Sequence, residues 1–423
     1  MTLFQRLRPF RARLLIFLAV LGPGIITANV DNDAGGIATY SVAGAHYGYS
    51  ILWLMPLVAI ALIMVQEMSA RLGVVTGKGL AGLIRESLGV RVTAAIVGIL
   101  LVANLANTIS EFAGVAASME IFGIHKFVSV PVAALAVWLL IVKGSYKSVE
   151  RIFLIASALY LAYVASGIMA HPSWPAVVQA SVTPAFRFES GYVIMAITVI
   201  GTTIAPWMQF YQQSAIADKG LKPADYAYER IDVLVGAVFA ILVAAFITIA
   251  CAATLFTHGL SIESAKDAAL ALRPLAGPYA SILFALGLLN ASVFSAAILP
   301  LSTAYVVCEA FGWESGVSHG WKEAPAFFSI YTLLIVLGAG VIMLPIKSLV
   351  QTMMLSQTLN GLLLPAILVV MLRLINDRRQ MGAFVNGRWF NIVSWAMVSA
   401  LIALTLVLVA ATLFPNLLGG SRL

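Results

Sequence analysis

Two aspartates stand two residues apart inside an otherwise apolar stretch, in the run Ala28-Asn29-Val30-Asp31-Asn32-Asp33-Ala34-Gly35-Gly36. Apolar sequence from Leu14 to Val30 leads in, and from Ile37 to Leu54 the chain carries no ionisable group except His46 and tyrosines. An ionised carboxylate in hydrocarbon is costly and persists where it faces a cavity, a cation or a partner. The glycine pair is expected to break the helix, freeing backbone carbonyls to act as ligands. Carboxylate and unwound backbone at mid-membrane are the chemistry of a cation site. Asp33 is the leading candidate. Asp31 could face the same cavity, cap a half-helix or attract cations at a vestibule, and Asn32 offers an amide oxygen.

A second irregularity answers the first. Gly201-Thr202-Thr203-Ile204-Ala205-Pro206-Trp207 sets a proline deep in another apolar segment. Proline removes a backbone donor and disrupts the preceding turn. The Ala205 carbonyl and the hydroxyls of Thr202 and Thr203 thereby become candidate ligands, and Trp207 either shapes the cavity or packs between helices. Glu111 is a mid-span carboxylate that could meet the outer shell of an ion or pair with a buried donor. Glu120 reads as interfacial.

These residues need helices to carry them. Of 423 residues, 61% are hydrophobic and 10% charged, with a mean hydropathy of +0.99. Apolar runs of this length and number exceed what a soluble core can absorb, so the chain reads as an all-α polytopic membrane protein. Eleven transmembrane helices are expected, near residues 14–43, 47–70, 92–122, 127–142, 152–170, 190–216, 231–257, 278–308, 327–345, 348–373 and 390–414. Placing the N-terminus inside puts 19 of the 25 Lys and Arg residues in cytoplasmic segments, as the positive-inside rule asks. The net charge of +7 is then a matter of membrane orientation, and no nucleic-acid partner is implied. Arg6, Arg8, Arg11 and Arg13 before Leu14–Leu21 look like a signal peptide, but read better as the anchor of a first span. Cys251 and Cys308 show neither metal-ligand spacing nor a disulfide framework. Glu67 and Arg71 are spaced for a helix-end ion pair. Asp218, Asp225, Glu229 and Asp232 read as a solvated face around the loop between spans 6 and 7. No catalytic constellation, cofactor or obligate protein partner is evident.

The two breaks lie five spans apart. Five is odd, so a second half would run inverted relative to the first, and paired interrupted helices point to the central site of a transporter. A single transporter domain over residues 1–423 is expected, with one repeat near 14–170, a second near 187–373, and an extra helix near 390–414.

Several stretches resemble the NRAMP family of divalent-metal transporters. Asp33-Ala34-Gly35-Gly36-Ile37-Ala38-Thr39 is similar to the family motif D-P-G-N-x-A-T, and Gly201–Trp207 to G-A-T-x-M-P-H. Glu67 to Arg85, Ser110-Glu111-Phe112-Ala113-Gly114, Phe284–Leu289, Ser356-Gln357 and Met381–Arg388 resemble further family segments. The resemblance implies a five-plus-five inverted repeat, as in the amino-acid transporter superfamily, with helices 1 and 6 unwound at the midplane. It also implies a metal bound by the span-1 Asp and Asn, a span-6 Met and carbonyls of both breaks, with Gln357 near the metal.

Here the departures carry information. Gly36 stands where that Asn would be, and Ala205 where the Met would be, unless a shift of the alignment brings in Met208. Loss of the thioether leaves oxygen donors, which suit hard cations. The small residues Ala34, Gly36 and Ala205 leave room for Mg²⁺ holding part of its water. Thr108 replaces the family's span-3 Asp, Trp207 replaces one span-6 histidine, and Gln212 or Gln213 the other. Imidazole is the usual relay near neutral pH. These losses resemble the NRAMP-related magnesium transporters. The expected activity is import of Mg²⁺, with Mn²⁺ as a further substrate, across a bacterial inner membrane without proton coupling. The alternatives are a proton-coupled Mn²⁺ or Fe²⁺ symporter and, more remotely, an amino-acid-type carrier on the same fold. The N-terminus is expected in the cytoplasm and the C-terminus outside.

Overall fold

The computed structural model describes residues 27, 30–143, 157–317 and 319–413. Every regular element among them is helical. The longer ones are α1 (Ala34–Tyr47), α2 (Leu54–Thr76), α3 (Leu80–Ile121), α4 (Lys126–Lys143), α5 (Leu161–Met169) and α6 (Ser190–Thr203). They continue with α7 (Pro206–Asp218), α8 (Tyr226–Thr254), α9 (Ala280–Phe311), α10 (Pro325–Met343), α11 (Leu349–Ile375) and α12 (Arg388–Leu413). Nine segments among the described residues are long and apolar enough to cross a membrane, with α6 and α7 forming one of them. The other two expected spans are the first and fifth, whose described parts are α1 and α5. The N-terminal arginine cluster lies outside the described residues.

Local chemistry explains two boundaries that differ from expectation. α2 extends to Thr76 and stops at Gly77, which takes the left-handed conformation (φ 63°) and donates its N–H to Gly73. The Glu67–Arg71 ion pair forms as expected, at 3.0 Å, but well inside the helix rather than at its end. α3 starts twelve residues earlier than hydropathy suggests, because its charged first turns are helical up to a kink at Gly89 (φ 80°).

α3 is the central post, with α9, α10 and α11 packed along it. α11 also packs against α6, and there two glycines let backbones touch. A Cβ on Gly201 would collide with the Gly361 amide and the Gln357 carbonyl, and one on Gly361 would collide with the Ile197 carbonyl. That contact carries α11 up against the break between α6 and α7.

At the membrane face where α2 ends and α3 begins, α7 is tied to its neighbours. Gln213 donates to the Lys78 carbonyl at 2.9 Å, and Tyr305 on α9 donates to Asp218 at 3.3 Å. The Glu309 carboxyl sits over the first turn of α3, against Gly79 and the Ala81 N–H. Arg71 reaches from α2 to the Phe384 carbonyl (2.9 Å) and to Asn386 (2.5 Å), ahead of α12. Tyr226, at the start of α8, donates to Glu67. At the opposite face the helices part around a cavity of about 380 Å³, lined among others by Glu120, His125, Glu263 and Lys347.

The Gly201–Gly361 contact makes a stability prediction. Gly201→Val forces α6 and α11 apart, at a cost of about 1–3 kcal/mol or more for overpacking. Size-exclusion chromatography is expected to show loss of monodisperse protein, whereas Gly82→Ala, where a Cβ meets nothing within 4 Å, stays monodisperse.

Candidate cation site

The two breaks face each other. In the first span the helix ends at Asp31, residues Asn32 and Asp33 are non-helical, and α1 begins at Ala34. The break thus falls before the glycines, not at them. Asp33 causes it. Its backbone is extended (φ −69°, ψ −177°), its carboxylate accepts the Gly36 N–H at 2.6 Å, and it is the N-cap of α1. The glycines serve proximity instead. A Cβ on Gly35 would collide with the Gln357 side chain. A Cβ on Gly36 would lie 2.8 Å from the Asp31 carbonyl, 3.3 Å from Asp33 Oδ1 and 3.3 Å from Thr202 Oγ1. Three oxygens from two broken helices therefore converge beside the Cα of Gly36.

In the sixth span, α6 ends at Thr203, Ile204 and Ala205 leave the helix, and Pro206 opens α7 at its first position. The Ala205 carbonyl accepts the Met208 N–H at 3.1 Å. With its nitrogen turned inward, the Gln209 amide also lies 3.0 Å from that oxygen. The expected ligand carbonyl is thus already engaged in the first turn of α7. Trp207 is fully buried, with its ring 6.2 Å from that of Tyr211.

The carboxylates are enclosed. Asp31 and Asp33 are 2% and 4% exposed and Glu111 is 0%. Gln357 donates to both Asp33 oxygens at 3.3 Å, so it holds the carboxylate directly. Its own oxygen accepts from Asn360 at 2.8 Å, and Asn360 exchanges two hydrogen bonds with Asn107 on α3 (3.1 and 3.0 Å). Glu111 accepts the Ala34 N–H, next in the chain to Asp33, at 3.2 Å. Both Asp31 oxygens, both Asn32 amide atoms, Thr202 Oγ1 and Glu111 Oε1 are buried without a hydrogen-bond partner. A concentration of orphaned polar atoms on this scale is costly unless something polar is bound there. Among the described residues no group of three or more His, Cys, Asp or Glu is arranged to hold a metal, so the donor set is mixed oxygen.

Asp31, Asp33, Gly36, Thr202, Glu111 and Gln357 are thus gathered in one region, with Ala205 and Trp207 on the facing break. Asn107 and Asn360 were not anticipated. Asn107 lies four residues before Glu111 and Asn360 three after Gln357, so each shares a helical face with a residue that was.

A family model described as natural resistance-associated macrophage protein-like (Nramp) matches residues 24–411. The chain belongs to the Nramp family. Two Nramp relatives are named divalent metal cation transporter MntH. That of Bacillus subtilis is 28% identical, covering 96% of this chain and 94% of the relative. That of Ralstonia nicotianae is 30% identical, covering 93% and 90%. Among solved structures, an Eremococcus coleocola manganese transporter bound to an aromatic bis-isothiourea compound superposes with a TM-score of 0.77 at 22% identity, covering 95% of this chain and 88% of that one. A nucleobase-cation-symport-1 family transporter does so with 0.60 at 13% identity, covering 93% and 92%. Both superpositions show a shared all-helical fold.

The capping role of Asp33 is separable from its charge. Asn caps about as well as Asp, while Ala costs about 1 kcal/mol. In the absence of divalent cations, Asp33→Asn is expected to melt near the wild type in a thermal-stability assay and Asp33→Ala several degrees lower. If both melt with the wild type, the N-cap assignment is wrong.

Proposed function

We propose that this Nramp protein is a divalent-cation importer whose favoured substrate is Mg²⁺, with Mn²⁺ also carried, and that it works without proton coupling. The observation that carries the reading is the meeting of the Asp31 carbonyl, the Asp33 carboxylate and the Thr202 hydroxyl beside Gly36. Every donor there is a hard oxygen, which suits Mg²⁺ better than a soft transition metal. Asp33 and Asp31 supply charge, Thr202 and the break backbone supply neutral oxygens, and Gly36 and Ala205 leave space for retained water. Gln357 holds Asp33 in place, and Glu111 borders the ion's outer shell. Trp207 closes the cavity from α7.

The different packing of the two faces supports alternating access as the mechanism. With the N-terminus in the cytoplasm, the face bound together by Gln213, Asp218 and Tyr305 is cytoplasmic, and the cavity beside Glu120 is external. The cation enters from outside, binds at the break, and leaves when one repeat, near 14–170, rocks against the other, near 187–373. The membrane potential and the gradient drive entry, and no cofactor takes part.

Two observations favour a second reading, a proton-coupled Mn²⁺ symporter. The MntH relatives are named as divalent metal cation transporters, and one structural neighbour as a manganese transporter. The adjoining Asp33 and Glu111 carboxyls could also share a proton. Proteoliposomes loaded with a Mg²⁺ indicator or a pH dye separate the two. Mg²⁺ influx without acidification is expected, and it is abolished in both Asp33→Ala and Asp33→Asn. Acidification that tracks metal influx, or Cd²⁺ strongly preferred over Mg²⁺, overturns the uncoupled Mg²⁺ reading.

A further inference from the structure

Away from the cation site, the scaffold leaves a gap on its lipid side. α2, α6 and α12 part around a groove of about 530 Å³, with Trp53 and Phe186 at one end and Ile200 and Ile204 on its floor. All three helices belong to segments long and apolar enough to cross a membrane, and Leu57, Ile60 and Val393 at the edges of the groove are exposed. It therefore opens to the hydrocarbon of the bilayer rather than to water.

Its chemistry and its length both limit what can fill it. The one polar side chain in the wall, the Trp53 indole, already donates to the Tyr192 hydroxyl at 2.8 Å, and Tyr192 in turn donates to the Ser50 carbonyl at 3.1 Å. Nothing is left for water to bond, and an apolar cavity of this kind stays dry. Left empty, its walls would lose their packing contacts. From Trp53 to Met64 the groove follows α2 for about 16 Å. That is the depth of one leaflet, half of a hydrocarbon core about 30 Å thick.

The rim carries what a headgroup needs. Phe186 meets Trp53, Tyr192 and Phe188 edge to face, with ring centroids 6.4, 5.9 and 5.0 Å apart. Aromatic clusters of this sort sit at headgroup level. Arg187, between the two phenylalanines, is exposed and forms no ion pair with any described residue. A guanidinium placed so is suited to a phosphate. We propose that the groove holds one acyl chain of a phospholipid from the leaflet where α2 begins, with the lipid phosphate on Arg187. The inner end of the chain rests on Ile204, where α6 gives way to the break, and braces the broken span from its lipid side.

Native mass spectrometry of the purified full-length protein, titrated with palmitoyl-oleoyl phosphatidylglycerol after delipidation, counts the lipids retained. The wild type is expected to keep one lipid that Ala400→Trp, which fills the groove from its open edge, does not keep. Ser399→Trp, on the same helix but outside the groove, keeps it. Arg187→Gln weakens retention by about fivefold. The same lipid raises the melting temperature of the wild type and of Ser399→Trp, but not of Ala400→Trp. The proposal is overturned if the wild type retains no lipid, if Ala400→Trp retains as many as the wild type, if Ser399→Trp loses the lipid too, or if Arg187→Gln changes nothing. Equal stabilisation of Ala400→Trp by the lipid refutes the brace. Should Ala400→Trp fail to fold, Ala396→Trp fills the same groove, and the Arg187→Gln comparison decides if neither folds.

Discussion

A carboxylate deep in a membrane protein must be given donors, and Asp33 takes its first from its own chain. By accepting the Gly36 N–H it starts a new helix at Ala34, and the preceding helix must then end at Asp31. The capping bond and the break are one event. From it follow the placing of the Asp31 carbonyl beside Gly36 and the orphaned amide of Asn32, and an equally broken helix stands opposite. Pro206 provides that partner by a different route, through the N–H it lacks rather than a side chain that captures one.

Positioning then depends on what is small. Gly35 admits the Gln357 side chain, Gly201 and Gly361 bring α6 and α11 into backbone contact, and Gly114 receives the Ser292 hydroxyl and the Ala34 methyl. Through Gln357, Asn360 and Asn107 the carboxylate is referred back to α3, the post on which three other helices pack. The site is thus fixed to the scaffold by amides, which hold a carboxylate without neutralising it.

Much of this was legible in the sequence. Hydropathy located the spans among the described residues, and Pro206 located one break, whereas the other falls at Asn32 and Asp33, just before the glycine pair expected to cause it. Asp33, Gly36, Thr202, Glu111 and Gln357 came from residue chemistry and family resemblance together. What was not legible shares one physical reason. Gly35-Gly36 suggests a break in one dimension, but only three-dimensional packing reveals that a neighbouring side chain occupies the missing Cβ. Ala205 was expected to offer a carbonyl, yet the first turn of α7 uses it. Glu229 and Asp232 sit in a locally polar run and look solvated until α2 and α7 cover them. Hydropathy reports the company a residue keeps along the chain, not across it.

The closing bonds of α7 have a consequence of their own. Gln213 to the Lys78 carbonyl and Tyr305 to Asp218 each have at least one neutral partner, and such bonds weaken steeply with distance and misalignment. Unlike a pair of opposite charges, they exert little pull once the helices have separated by a few ångströms. Those two contacts therefore sit in a narrow energy well of their own, with no long slope leading back into it. Their breaking resembles the release of a latch more than the stretching of a spring.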